Sequence, residues 1–123
     1  MNESHTILLV EDDPDVRKVT VEHLTIQGCR VIEARDGMEG LQRLEERRFD
    51  LVITDIVMPF VSGAGIVRAV KERSPETPVI AITGQGKVSE DLAAESKADL
   101  VLEKPINMAD LMEHVRRLLG ERS

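Results

Sequence analysis

Five stretches read as short strands, at residues 7–10, 30–33, 51–54, 78–82 and 100–102, and four of them are runs of Ile, Leu, Val and Ala with little interruption. Between them, apolar residues recur at the three-to-four-residue spacing of helices. A helix is predicted over 14–27, with Asp13 as N-cap, Pro14 at its first position and Gly28 as its stop. Asp36-Gly37-Met38-Glu39 has capping-box spacing and opens a second helix towards Arg47. Ser62 or Gly63 opens a third, which runs to about Arg73 and ends at Ser74-Pro75. Asn107 caps the last, where Met108, Leu111, Met112, Val115, Leu118 and Leu119 form a single apolar stripe.

Strands that alternate with helices imply right-handed crossovers and a parallel sheet covered on both faces. Continuously apolar strands agree with burial on both sides. The expected fold is a small doubly wound α/β domain without repeats or linkers. The 123 residues are read as one domain, 1–123, with a core over about 6–119. In such folds ligands gather beyond the C-terminal ends of the strands, where the strand order reverses.

Composition narrows the function. Hydrophobic residues make up 41% and charged residues 32%, the profile of a soluble globular chain. No apolar run approaches the ~20 residues that cross a bilayer, and the first residues lack a signal-peptide pattern, so no membrane partner is expected. The lone Cys29 cannot form an internal disulfide, which suits the cytoplasm, and it reads as a small residue entering a strand. The net charge of −7, with no Trp or Tyr, argues against nucleic-acid binding by this domain. Arg47-Arg48 and Arg116-Arg117 read as solvated helix ends.

The strand ends carry the chemistry. Glu11-Asp12-Asp13 closes the first apolar run, and Asp55 closes the third. Carboxylates brought that close repel by roughly 4 kcal/mol at ~4 Å and an effective dielectric of about 20. A cation or a reaction must justify the cluster. Asp12 and Asp55 could give oxygens to Mg2+ while Glu11 holds its water; Asp13 is assigned to the helix cap. A solvated acidic loop is the plainer alternative for Glu11 and Asp12. Thr83 and Lys104 follow the fourth and fifth runs, adding a hydroxyl and an ammonium at the same edge. Singly each is ordinary. Together they set an anion site beside a cation site, as phosphoryl transfer to a carboxylate requires.

The run Ile7-Leu8-Leu9-Val10 ending in Glu11-Asp12-Asp13, then Asp55-Ile56-Val57-Met58-Pro59 with Gly63 beyond, resembles a known family. Thr83-Gly84 and Lys104-Pro105-Ile106 complete the likeness, which is to the receiver domain of two-component response regulators, from Thr6 to about Leu119. The resemblance implies a five-stranded sheet in the flavodoxin-like order 2-1-3-4-5. It implies Asp55 as phosphoacceptor, and Mg2+ (or Mn2+) bound by Asp12, Asp55 and the backbone carbonyl of Val57, with Glu11 orienting a metal-bound water. Lys104 and Thr83 would bond the phosphoryl oxygens, and Pro105 matches a position where the family often has a cis peptide.

The implied partners are a histidine kinase or histidine phosphotransfer protein and an unknown downstream protein, with a phosphorylation-linked dimer left open. The fourth helix that the resemblance implies looks short, from about Ser89 to Ser96, and the switch surface would lie near it, the fifth strand and the last helix. Val101 stands where the family commonly has Tyr or Phe, so an aromatic flip is not expected; Gly84 and Lys97 depart from its usual residues too. The chain is not expected to be a turnover enzyme, although it would catalyse its own phosphorylation and dephosphorylation. Two alternatives stand beside this. One is a degenerate receiver that acts as a constitutive interaction module. The other is a Mg2+-dependent phosphatase, against which Val57 takes the place of its second acid and no cap domain fits.

Overall fold

The computed structural model describes residues 4–58, 61–84 and 97–120. Its elements are β1 (Thr6–Val10), α1 (Pro14–Ile26), β2 (Arg30–Ala34), α2 (Gly37–Glu46), β3 (Leu51–Asp55), α3 (Gly63–Arg73), β4 (Val79–Thr83), β5 (Leu100–Glu103) and α4 (Met108–Leu118). The helix expected at 89–96 lies outside the described residues. The five strands form one parallel sheet in the order β2-β1-β3-β4-β5.

Sequence pattern explains the layering. Every residue of β1, β3 and β4 is buried. Burying one large aliphatic side chain is worth about 1.5–3 kcal/mol, so strands this apolar belong in the middle of the sheet. Alternate residues serve opposite faces. Ile7, Leu9, Leu51 and Ile53 pack with Leu24 of α1 and Leu111, Met112 and Val115 of α4. Leu8, Val10 and Val52 pack with Ile66, Val67 and Val70 of α3 on the other side, where Leu41 and Leu44 of α2 join them.

The helix starts follow the expected capping chemistry. Asp13 Oδ1 accepts from the Asp15 and Val16 N–H groups at 2.9 and 3.2 Å, and Asn107 Oδ1 from Asp110 at 3.0 Å. Ser62 caps α3, and Gly28 leaves α1 at φ +90, a conformation only glycine adopts freely. Two expectations need correction. Asp36 caps Glu39 at 2.8 Å, but the Glu39 carboxylate turns back to the Arg35 N–H and guanidinium, so the box is not reciprocal. The apolar run of β5 is not buried on both sides: its residues alternate, and Val101 is 41% exposed. β5 is the outermost strand beside β4, and position along the sheet overrides its composition.

Candidate functional site

In a parallel sheet all strands end at the same edge. After β1 the chain crosses to β2 through α1 on one face, and after β3 to β4 through α3 on the other, leaving a crevice between the two strand ends. Glu11, just beyond β1, donates its N–H to the Ala34 carbonyl at 3.0 Å. Asp55 is the last residue of β3, opposite Ile82 of β4. Carboxylate oxygens of Glu11, Asp12 and Asp55 all lie within 4.8 Å of one another. Glu11 and Asp55 are 2% and 3% exposed, while Asp12 is open to solvent. The expected convergence is present.

Gly63 fixes the depth of Asp55. Its N–H donates to the Ile56 carbonyl at 2.8 Å, and a β-carbon at this position would run into the Asp55 carbonyl. Only glycine lets α3 begin so close behind β3. Val57, in the loop after β3, is 55% exposed and lies outside the core.

Lys104 leaves β5 and brings its ammonium to the cluster. Nζ lies 3.2 and 3.3 Å from Asp55 Oδ1 and Oδ2 and 3.8 Å from Glu11 Oε2. The peptide bond to Pro105 is cis, the form expected there. Thr83 is buried at the last position of β4, and its hydroxyl donates to the Gly84 carbonyl at 3.0 Å. The Lys104 N–H donates to the Thr83 carbonyl at 2.8 Å, which ties the two strand ends together.

Burial pushes the Asp55 carboxyl up to about 9; the neighbouring Glu11 carboxylate adds to the rise, and Lys104 only partly offsets it. Burial alone would lower Lys104, but the Asp55 and Glu11 charges raise it overall. Asp55 Oδ1 is buried with no hydrogen-bond partner among the described residues. This oxygen faces the Lys104 ammonium as an ion pair at 3.2 Å without a formed hydrogen bond; a buried oxygen left so is costly, and a divalent cation at the cluster would satisfy it. Oxygen donors of this kind suit a hard cation such as Mg2+. The cluster therefore fits a divalent metal.

Comparison with known proteins agrees. The family model of the response regulator receiver domain matches residues 7–116. The chain belongs to this family. The receiver is 35% identical over 114 residues to the response regulator receiver protein CpdR of Brucella abortus, covering 92% of this chain and 95% of that protein. It is 34% identical to the transcriptional regulatory protein PrrA of Mycobacterium tuberculosis, spanning 97% of this chain but 52% of PrrA. The receiver domain of a signal transduction histidine kinase from Syntrophus aciditrophicus superimposes with a TM-score of 0.89 at 31% identity, covering 95% of this chain and 91% of that one. The receiver domain of the sensor histidine kinase PA1611 from Pseudomonas aeruginosa, solved with a magnesium ion in its active site cleft, gives 0.88 at 26% identity, covering 97% and 100%.

Among the described residues no helix is long and apolar enough to cross a membrane. An apolar depression of about 730 Å³, lined in part by Val16, Val19, Pro105, Ile106 and Met108, adjoins Lys104. Arg17 was not a candidate, yet its guanidinium donates to the Glu11 carbonyl at 2.8 Å. Its place in the second turn of a capped helix directly after the acidic loop was the available signal.

Proposed function

We propose that this receiver takes a phosphoryl group from a phosphohistidine, on a histidine kinase or histidine phosphotransfer protein, onto Asp55 in a Mg2+-dependent reaction. The observation that carries the reading is Asp55 itself: buried, with one oxygen lacking a hydrogen bond, beside two other carboxylates and an ammonium. An Asp55 oxygen attacks phosphorus, the P–N bond to the histidine breaks, and the electron pair returns to the imidazole. Asp12, Asp55 and the Val57 carbonyl would hold the metal, with Glu11 orienting a metal-bound water. When bound, the metal would neutralise the cluster and the charge on the transferring group. The magnesium found in the active site cleft of the PA1611 receiver supports a magnesium site in the corresponding cleft here.

Lys104 then pairs with a phosphoryl oxygen, and the Thr83 hydroxyl turns from the Gly84 carbonyl to another. The phosphoryl group adds about −1.5 to −2 charge. The Lys104 N–H is bonded to the Thr83 carbonyl, so a pull on either residue is passed directly to the other strand end. The switch therefore needs no aromatic ring at Val101 and acts as a population shift that changes protein–protein contacts. The chain is a phosphoacceptor that catalyses its own modification, not a turnover enzyme.

The test is incubation with acetyl phosphate and Mg2+ followed by intact-mass and peptide mass spectrometry. One hydroxylamine-labile phosphoryl group on Asp55 is expected, absent with EDTA and in Asp55→Asn. Labelling that persists in Asp55→Asn would overturn the assignment.

A further inference from the structure

We propose that Arg17 is a positioning residue for the acidic cluster, holding Glu11 and Asp12 where a divalent cation needs them. The inference rests on the metal reading above and deepens it. Arg17 stands on α1 with its side chain 16% exposed. Nη1 donates to the Glu11 carbonyl at 2.8 Å, and Nε lies 3.3 Å from Glu33 Oε1 on β2. The Glu11 N–H is already committed to the Ala34 carbonyl at 3.0 Å, and its Oε2 accepts from the Asp13 N–H at 3.0 Å. Arg17 thus completes the restraint on Glu11, fixing the carbonyl as the ladder fixes the amide.

The peptide that Arg17 grips is the one joining Glu11 to Asp12, so the grip sets where the Asp12 side chain leaves the backbone. Asp12 is exposed and has no burial to hold it. Without the guanidinium, the loop between β1 and α1 keeps its N–H bonds but loses the tie from its carbonyl to α1. A planar guanidinium can serve a carbonyl and a carboxylate at once from a fixed fork, whereas one ammonium cannot reproduce both directions. Partners one step behind the metal ligands commonly matter by 10–100-fold in metal affinity.

Charge and geometry predict opposite signs here. Arg17 is a cation close to a divalent-ion site, so its charge alone weakens metal binding, and removing it would tighten the complex. If Arg17 positions the ligands, removing it loosens the complex instead. Calorimetric titration with Mg2+ at fixed ionic strength separates the two, with urea unfolding run alongside to confirm that each variant is folded.

The expected result is ~10-fold weaker Mg2+ binding in Arg17→Gln. Arg17→Lys, which keeps the charge and is the milder change, should still bind several-fold more weakly than wild type. Unchanged or tighter binding in Arg17→Gln overturns the proposal. Should that variant fail to fold, Arg17→Lys decides alone, and wild-type affinity there overturns it. Asp12→Asn is the control for the underlying reading. If wild type and Asp12→Asn both fail to bind Mg2+, or bind it equally, the metal site itself is wrong and the role of Arg17 falls with it.

Discussion

Lys104 and the carboxylates make opposing demands on one small volume. Among the described residues, the Lys104 ammonium lies 3.2–3.8 Å from Asp55 and Glu11 and faces both. It would therefore compete with a divalent ion for the same charge and, in the proposed phosphotransfer, would pair with the incoming phosphoryl group. Lys104→Met should bind Mg2+ about tenfold more tightly, a modest share of the roughly 3 kcal/mol that two charges ~5 Å apart exchange at an effective dielectric of about 20. The same variant should lose most of its affinity for beryllofluoride, which needs the ammonium as its partner. The chain has no Trp, so calorimetry or NMR is the suitable readout. Unaltered Mg2+ affinity would mean that the ammonium does not face the cluster in solution. Glu11, Asp12, Asp55, Thr83 and Lys104 were legible in the sequence because each closes or follows a strand-like run, and a parallel sheet sends all such positions to one edge. Arg17 was not, because helical spacing says which face a side chain leaves from but not which atoms it reaches.

Elements hold these residues through their first turns. The loop that carries Glu11 and Asp12 ends at Asp13, whose carboxylate accepts from two N–H groups of α1. Asp13→Ala should cost about 1 kcal/mol, as N-cap losses do. It should leave Asp55 phosphorylation by acetyl phosphate largely intact, because the proposed metal ligands lie outside the cap. A shift in the urea midpoint without loss of labelling checks this. Gly63→Ala is a harsher change. A methyl at 63 meets the Asp55 carbonyl and the Ile56 backbone, which cannot rotate away as a flexible side chain would. A destabilisation of about 1–3 kcal/mol is expected, together with reduced phosphorylation, since the strain falls directly on Asp55. A fully active, fully stable Gly63→Ala would show that α3 can retreat without moving β3. Caps at Asp13, Ser62 and Asn107 were readable because they are local. The partner of Glu39 was not, because Arg35 offered it both an amide and a guanidinium. The exposure of Val101 was hidden for another reason: an edge strand can be as apolar as a central one.

In the molecule as a whole, alternation of strands and helices gave a parallel, doubly wound sheet, but not the order of its strands. Right-handed crossovers allow several orders; the order now observed, β2-β1-β3-β4-β5, came into view only through the family likeness of the strand-end residues. That order places the crevice between β1 and β3, and so makes the acidic cluster a cost to folding. The Asp55 carboxyl, 3.8 when unperturbed, rises to about 9 through burial first and Glu11 second. Between those limits the folded chain binds a proton that the unfolded chain has released. Stability from this group is therefore full at low pH and falls as pH rises, by at most about 1.4 kcal/mol per pH unit. Lys104 does not reverse the trend, because its folded value is also raised and its contribution is lost only above its ordinary 10.5. In EDTA the wild-type urea midpoint should thus be lower at pH 8 than at pH 5, by more than in Asp55→Asn, where residue 55 cannot titrate. Comparing the two proteins cancels the shared titration of the histidines and other carboxylates. A divalent ion takes the place of the proton, so Mg2+ at 100 times its dissociation constant should restore about 2.7 kcal/mol and do so most economically at high pH, where no proton competes. Parallel pH profiles for wild type and Asp55→Asn in EDTA would show that the buried carboxyl carries no such penalty, and that the strain relieved by the metal lies elsewhere.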